Sequence, residues 1–396
     1  MVKIMIDKKK RHIDIVLNKQ VDENSAGFEN YKFTHNALPE IDFNEVKTSY
    51  SFIGKKLRAP ILIAPMTGGT SQAMVINTNL AKAAEKCGIA LGLGSMRIAI
   101  EVQNKVKSQE NDFILKSFKV RKYCKNMPLF ADLGAVQLNY GFGAEECRKA
   151  VEMIEADGLI LHLNPMQEVI QSRIKNPLQG KQESRINLPI LLPPVSLGVN
   201  EVNNLEGNVD FRGLLGKIED VCKKVNFPVF VGEVGFGISF DVAKKLFSVG
   251  VSGILTGGWG GTNWAKIAGE ESENSLGETF SNWGISTTDS IIQCKEALRV
   301  SSWSPEATSN DKRPVIIATG GIRSGLDAAK ALVLGADLIG VALPLLKPAL
   351  ESEEAVSLKI EQYILELKMA MFGVGAGSVE ELKKQKLINL DKTVCF

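Results

Sequence analysis

The stretch PVIIATGGIRSGLDAAKALVLGADLIGVAL, residues 314–343, contains one complete unit of the fold that the sequence predicts. It begins with an apolar run, passes through a glycine turn into a helical pattern that closes on glycine, and ends in a second apolar run. Apolar runs without polar alternation indicate strands that are buried on both faces, as in a parallel sheet. A glycine directly after a helical pattern is a usual helix stop. The stretch therefore predicts strand, turn, helix and strand.

Eight apolar runs of this kind recur along the chain. Helical patterns between them close on glycine, at Gly88, Gly158, Gly250 and Gly335. Eight strand–helix units predict an α/β fold of the (β/α)8 TIM-barrel class, in which the chemistry lies in the loops after the strands. The 396 residues exceed the roughly 250 of a typical barrel. We therefore predict one domain over residues 1–396, with a capping segment at about 1–55. The runs are 60–66, 88–95, 128–135, 158–164, 228–235, 251–258, 314–321 and 336–343.

Two segments interrupt this pattern. Residues 172–212 include a stretch rich in Pro, Asn, Gln and Lys and are long for a loop between a strand and a helix. A lid over the barrel mouth and a passive surface insertion both fit this composition. The second segment, residues 268–286, is predicted to be irregular. It carries Glu270, Glu271, Glu273 and Glu278 before the sequence NWGIS.

Composition narrows the function classes. The formal net charge is +2, and no long basic block indicates nucleic acid or a membrane surface as a partner. The longest apolar runs reach only about half of the ~20 residues that a membrane span needs. Six dispersed cysteines without a CxxC pair, in a chain whose first residues are charged, predict reduced thiols and no signal peptide. We therefore expect a soluble cytoplasmic enzyme.

Four polar side chains lie together just past the apolar run GLILHL, within the stretch LHLNPMQE at 161–168. They are His162, Asn164, Gln167 and Glu168. A protein rarely places four polar side chains at a strand end without using them, so we expect them in the active site. Judged alone, His162 could also be a structural hydrogen-bonding histidine, and Glu168 could be an ordinary solvated carboxylate.

A phosphate site is predicted after the last two strands. GGIRSG at 320–325 opens a helix, and GVALP at 340–344 follows. Glycine-released N–H groups at a helix N-terminus bind anions, barrels often bind phosphate there, and Arg323 adds a charge-assisted contact. A plain tight turn is the alternative reading of the glycine pair.

Three more loops rich in glycine and hydroxyl groups follow other strands: MTGGT at 66–70, GSMR at 94–97 and GGWGGTNW at 257–264. Glycine allows a flat ring to approach the backbone closely. Four such loops around one rim fit flavin mononucleotide better than a sugar.

The order of motifs resembles one family. Lys8, Lys9 and His12 are followed by HNALPEI, PMTGG, GSMR, LHLNPMQE, FRG, EVGFGIS, GGTNW, NWGIS and GGIRSGLDAAKALVLGA. This succession, from about Lys8 to about Phe372, resembles type II, flavin-dependent isopentenyl-diphosphate isomerase. The resemblance implies a barrel that holds reduced FMN and Mg²⁺ and interconverts isopentenyl and dimethylallyl diphosphate. It also implies NADPH as the flavin reductant and a homo-oligomer, either a dimer or a tetramer.

The resemblance implies roles for individual residues. Gln167, His162 and Asn164 would be catalytic, and Glu168 would bind Mg²⁺. The substrate would contact Lys8, Lys9, His12, Ser95, Met96, Arg97 and Gln167. The two lysines, judged alone, also fit ordinary solvated charge. The flavin would contact Met66, Thr67, Gly68, Ser95, Asp132, Gly232, Thr262, Gly320, Gly321, Arg323, Ala342 and Leu343.

The chain departs from the family pattern on the ring side of the flavin. Gly232 stands where the family usually has a lysine, Asp132 replaces an asparagine, Gly257 a serine, and Met96 a glutamine. A reduced flavin anion beside Asp132 without the lysine would lose electrostatic stabilisation. We therefore expect slow turnover with partial rescue by Gly232→Lys, unless the glycine holds a conformation that lysine cannot adopt. A diverged member that binds flavin or prenyl diphosphate with lost or altered activity is the alternative.

Two other barrel chemistries fit less well. Flavin-dependent 2-hydroxy-acid oxidases place a histidine base after a late strand, where this chain has GGWGGT. Chemistry like that of inosinate dehydrogenase needs a cysteine nucleophile, which GSMR lacks.

Overall fold

The structure is a computed structural model that describes residues 2–22, 25–103, 109–174, 205–301 and 313–390. The described strands are β1 Tyr31–Phe33, β2 Tyr50–Phe52, β3 Lys55–Leu57, β4 Ile61–Ile63, β5 Ala90–Gly92, β6 Leu129–Gly134, β7 Gly158–Leu163, β8 Arg173–Ile174, β9 Leu205–Glu206, β10 Val229–Glu233, β11 Gly253–Leu255, β12 Val315–Thr319, β13 Leu338–Val341 and β14 Leu387–Asn389.

The described helices are α1 Val2–Asn18, α2 Ser71–Cys87, α3 Arg97–Gln103, α4 Gln109–Lys116, α5 Ala144–Ile154, α6 Pro165–Gln171, α7 Leu214–Lys224, α8 Phe240–Ser248, α9 Trp264–Ser272, α10 Leu276–Thr279, α11 Thr287–Val300, α12 Gly325–Leu334, α13 Leu343–Glu351, α14 Glu353–Gly373 and α15 Val379–Leu382. Short 3-10 turns occur at Phe28–Asn30, Phe43–Glu45 and Ala135–Asn139.

Eight of these strands form one closed parallel barrel in the order β4, β5, β6, β7, β10, β11, β12, β13. The ring closes between β13 and β4, where Ile339 pairs with Ile61. Each barrel strand lies inside one of the eight apolar runs, so the predicted fold class is confirmed.

The barrel strands are apolar on both faces because both faces are packed. Alternate residues point into the barrel, where Phe130, Ile160 and Phe230 belong to one buried cluster. Residues of the opposite parity, such as Ile61 and Ile63, pack outward in a cluster shared with the surrounding helices. A strand between two apolar layers has no polar position until it reaches its end. Polar side chains therefore collect at the strand ends.

An antiparallel hairpin, β2–β3, lies at the N-terminal end of the barrel. Its Phe52 and Leu57 are fully buried within the cluster that fills the barrel interior. The Phe52 ring centroid lies 5.8 Å from that of Phe130 and 5.9 Å from that of Phe230. The hairpin thus fills the end of the barrel opposite to the loops that follow the strands.

Three of the four predicted helix stops hold, at Gly88, Gly250 and Gly335. Thr70 caps α2 by accepting a hydrogen bond from the Ala73 N–H at 3.0 Å, and Gly88 ends this helix with φ of 67°. The stop expected for α5 at Gly158 is wrong, because this helix ends at Glu155, which adopts φ of 53°. Gly158 instead begins β7.

The segment 268–286, expected to be irregular, is partly helical. It contains the end of α9 and the short helix α10. The side chain of Asn263 starts α9 by accepting hydrogen bonds from two backbone N–H groups, and the glutamates that follow are good helix formers. The expectation of a loop was therefore wrong for these turns.

Only the ends of the segment 172–212 lie in the described part of the chain, where β8 pairs antiparallel with β9. Residues 175–204 are outside the described ranges, as is Cys395, so the predicted lid or insertion concerns residues that are not described. The five described cysteines are free. None of the helices in the described ranges has the length and hydropathy of a membrane span.

We predict that Phe52→Ala lowers the free energy of unfolding by about 3–5 kcal/mol, because it leaves a cavity between two phenylalanine rings. Urea denaturation measures this change. Leu358→Ala is the control, since its side chain is 72% exposed on α14, and it should change the stability by less than about 0.5 kcal/mol. Equal effects of the two substitutions would contradict the packing role of the hairpin.

Candidate active site

A cavity of about 360 Å³ opens at the C-terminal end of the barrel. This volume falls within the roughly 300–1,000 Å³ of small-molecule sites. Every barrel strand contributes lining residues at or near its C-terminal end, because parallel strands present all their C-terminal ends on one rim. Examples from the eight strands in order are Ala64, Gly94, Gly134, His162, Glu233, Gly257, Thr319 and Ala342.

The cavity brings together all but two of the residues that the sequence predicts for the site. Met96 is fully buried in the core and does not line the cavity, although its N–H donates to the Asp132 carbonyl at 2.8 Å. Gly68 packs against the Phe118 ring, and a Cβ built on this glycine would lie 2.0 Å from the Phe118 Cε1 atom. The lining residues are Lys8, Lys9, His12, Met66, Thr67, Ser95, Arg97, Asp132, His162, Asn164, Gln167, Glu168, Gly232, Thr262, Gly320, Gly321, Arg323, Ala342 and Leu343.

Helix α1 brings basic side chains into the cavity. Lys8, Lys9 and His12 share one face because residues three and four apart are neighbours on a helix. The Lys9 ammonium donates to the Ser95 carbonyl at 2.8 Å. Burial lowers the pKa of Lys9 to about 8, while the charge of Asp132 acts in the opposite direction. An anion in the cavity would favour the protonated form of this lysine.

The motif at 161–168 bends from β7 into α6. Asn164 precedes the helix, and its amide Nδ2 donates to Gln167 Oε1 at 3.2 Å and to Glu168 Oε1 at 3.1 Å. Its own Oδ1 is buried and has no hydrogen-bond partner among the described residues. A buried acceptor without a partner is costly, so this atom is suited to a donor from a ligand or water.

Asp132 is not an isolated negative charge. Its Oδ1 lies 2.8 Å from His162 Nδ1 on the neighbouring strand. Burial lowers the pKa of His162, and so does the charge of Lys9. The charge and hydrogen bond of Asp132, together with the charge of Glu168, raise this pKa by more, so it lies above the usual value. The pair sets an imidazole whose protonated form is favoured beside Asp132, where the family resemblance implies an asparagine. The expected electrostatic penalty of Asp132 is therefore partly compensated.

Gly232 lies beside His162 in the β7–β10 ladder and beside Leu255 in the β10–β11 ladder. Its φ is not positive, so backbone conformation does not demand glycine. The limited space at this position does demand glycine, since a Cβ built there would lie 2.7 Å from the Leu255 Cβ. A lysine side chain therefore has no room without movement of the strand, and the rescue expected from Gly232→Lys loses its structural basis.

Several further cavity residues were not selected from the sequence, among them Gln171, Glu233 and Trp264. Gln171 follows Gln167 by four residues on α6, a spacing that could have identified it. Burial raises the pKa of Glu233 to about 7 although backbone N–H groups of its own turn lower it, and its Oε1 is buried without a partner among the described residues. Glu233 is the first residue of the motif EVGFGIS, but only the neighbouring Gly232 was predicted from the sequence as a site residue.

The predicted phosphate loop lines the cavity between the end of β12 and the start of α12. Gly320 and Gly321 adopt φ of 104° and 66°, which glycine alone adopts without strain, and they lead into α12. The Arg323 guanidinium lies 3.2 Å from the Asp22 carboxylate, which ties this loop to the segment after α1. One cation and a helix N-terminus thus face the cavity here.

Comparison with known proteins agrees with this geometry. The family model of FMN-dependent dehydrogenases matches residues 17–127 and 215–389. Isopentenyl-diphosphate delta-isomerase of Nostoc sp. is 41% identical over 382 residues, which cover 95% of this chain and 93% of that protein. The enzyme of the same name from Oceanobacillus iheyensis is 40% identical over 389 residues, with 97% and 96% covered.

Solved structures share the fold at low sequence identity. A flavocytochrome b2 variant with pyruvate bound has a TM-score of 0.62 at 17% identity and covers 97% of this chain and 85% of that chain. An active chimera of (S)-mandelate dehydrogenase has a TM-score of 0.59 at 15% identity, with 97% and 98% covered. These two similarities concern the fold alone.

We predict that Gly232→Ala lowers the free energy of unfolding by about 1–3 kcal/mol, because the added methyl group overpacks the contact with Leu255. Gly216→Ala is the matched control, since Gly216 lies on α7 with nothing within 4 Å of a built Cβ. Alanine there should stabilise the helix by up to about 1 kcal/mol. Chemical denaturation of both variants measures these free energies of unfolding. An unchanged stability of Gly232→Ala would contradict the prediction and show that β10 and β11 adjust freely.

Proposed function

The chain belongs to the FMN-dependent, type II isopentenyl-diphosphate delta-isomerase family, and we propose that it interconverts isopentenyl and dimethylallyl diphosphate with reduced FMN and Mg²⁺. The observation that carries this proposal is the cavity itself. Cations from α1, the polar group at the end of β7 and the glycine loop after β12 all face one space. The α1 cations and the glycine loop are two separate anion-binding groups, one for the diphosphate of a substrate and one for the phosphate of a flavin.

The residues present fit FMN. The glycine turn at 320–321, the start of α12 and Arg323 offer the donors that a phosphate monoester needs. Toward the barrel axis, Ile160 and Leu255 give an apolar floor to the cavity. A flat ring system binds well on such a surface when a few polar groups fix its orientation.

The residues also fit Mg²⁺ when the metal is shared with a substrate. Within the described ranges, no group of three or more His, Cys, Asp or Glu side chains forms a dedicated metal cage. Glu168 is a single carboxylate at the cavity, and Asn164 and Asn208 hydrogen-bond to its two oxygens. Mg²⁺ is commonly held by one carboxylate together with phosphate oxygens and water.

In this mechanism the protein positions and polarises the reactants. Reduced FMN, when bound, would supply the proton transfers that move the double bond by one carbon without net oxidation. Lys8, Lys9, His12, Ser95 and Arg97 would hold the diphosphate. We place Gln167, His162 and Asn164 at the reacting end, where they would orient the alkene portion and exclude water.

The remaining parts of the proposal follow the family resemblance. NADPH would reduce the flavin, the protein would work in the cytoplasm as a homo-oligomer, and residues 1–396 would form one domain. The three histidines, His12, His35 and His162, all precede β10. No histidine therefore follows a late strand, which argues against the oxidation of a 2-hydroxy acid by a histidine base.

The proposal is tested by anaerobic incubation of the purified protein with FMN, Mg²⁺, NADPH and isopentenyl diphosphate. We expect dimethylallyl diphosphate as the product, formed only when the flavin is reduced. Omission of NADPH is the control, and dithionite should replace it. If the protein binds FMN and the diphosphate but forms no product, it is a diverged member that lacks the isomerase activity.

We predict that Glu168→Gln raises the Mg²⁺ concentration needed for half-maximal turnover by at least about tenfold, because the amide lacks the charge that holds the cation. FMN affinity, measured by fluorescence quenching, should stay within about twofold of wild type and serves as the internal control. Unchanged dependence on Mg²⁺ would place the metal on another residue.

A further inference from the structure

The carboxylate of Glu271, on α9, joins three helices at the rim of the cavity. Its Oε2 lies 2.8 Å from His12 Nε2 on α1, 2.9 Å from Gln171 Nε2 on α6 and 3.7 Å from Lys8 Nζ on α1. Lys8 also donates to Gln171 Oε1 at 2.8 Å. These four residues, which we call the rim network, form a closed set of contacts.

Glu271 differs from its partners in position. Lys8, His12 and Gln171 line the cavity, whereas Glu271 lies behind them with 13% of its side chain exposed. Trp264, two turns earlier on α9, supports the same arrangement through an edge contact with the His12 ring at 5.4 Å. Glu271 therefore meets the ligand space only through other residues.

The carboxylate is held in its charged form. Burial raises the pKa of Glu271, but the hydrogen bond and charge of His12, with the charges of Lys8 and Arg11, outweigh burial and leave the pKa below its usual value. Hydrogen bonds from cationic or amide donors to a partly buried carboxylate are stronger than neutral ones. Five basic residues follow one another on α1 from Lys8 to His12, so an anion behind them also relieves their mutual repulsion.

We propose that Glu271 is a positioning residue that holds α1 over the cavity and orients Lys8 and His12 toward the diphosphate of the substrate. The proposal rests on the proposed function for the identity of the anion. Preorganisation of this kind lowers the cost of ordering two flexible side chains when the ligand binds. Loss of the carboxylate should therefore weaken diphosphate binding more than it slows the chemical step.

The chain offers a matched control at Glu273, the residue that directly follows α9. Glu273 also links α9 to α1, through Arg11 at 2.9 Å, but this pair lies at the surface with 46% and 59% of the two side chains exposed. Exposed pairs contribute little, and Glu273 touches no cavity residue through this contact. Glu271→Gln and Glu273→Gln thus make the same chemical change between the same two helices.

Two measurements on the FMN-loaded protein test the proposal. Calorimetric titration with inorganic pyrophosphate and Mg²⁺ should show about tenfold weaker binding for Glu271→Gln and less than twofold for Glu273→Gln. In the isomerase assay, KM should rise about tenfold for Glu271→Gln while kcat stays within about threefold. Hydrogen exchange of the α1 amides should be faster in Glu271→Gln alone.

Equal pyrophosphate affinity of the two variants, or an effect of Glu271→Gln on kcat without KM, would overturn the proposal. Wild-type protein that fails to bind pyrophosphate would overturn it as well. A wild type that binds pyrophosphate but does not isomerise the prenyl diphosphate would remove the proposed function only. The comparison of pyrophosphate affinity between the variants would then still decide the role of Glu271.

Discussion

Burial of the barrel strands on both faces is the constraint on which the rest of this structure depends. Each strand pairs with two neighbours, so the closed barrel leaves no strand edge to solvent. Side chains such as Phe130 and Phe230 fill its interior, and helices cover its outside. Polar chemistry is therefore possible only at the ends. The β2–β3 hairpin fills one end with Phe52, and α1 carries lysines and a histidine to the other.

Several charged residues that line the cavity are paired with an opposite charge. Asp132 faces His162, Arg323 faces Asp22, and Glu271 faces His12 and Lys8. In a region that excludes water, an unpaired charge is costly, whereas a paired one is fixed in direction and ready to act on a ligand. Asp132 in turn favours the protonated form of His162 and so raises the pKa of this histidine. Gly232, which carries no cation, lies beside His162 in the β7–β10 ladder.

Much of the fold could be predicted because its signals are local. Eight apolar runs identified eight barrel strands, and the glycine after α2 marked its end. The errors arose where two signals competed. The sequence pattern placed the end of α5 at Gly158. Pairing with Phe130 instead fixes Gly158 at the start of β7, so the helix ends earlier and Glu155 adopts the left-handed conformation. At 268–286, helix capping by Asn263 prevailed over a polar composition.

The sequence by itself determined which segments are strands and which loops carry polar groups, because a period of two or an unbroken apolar run records burial directly. It therefore pointed to the cavity, and all but two of the residues selected from it line that cavity. Only the tertiary structure decided that Met96 turns into the core, that Leu255 occupies the space beside Gly232, and that Glu271 holds α1. Each of these depends on the distance between side chains that are far apart in sequence, and periodicity along one segment carries no information about that distance.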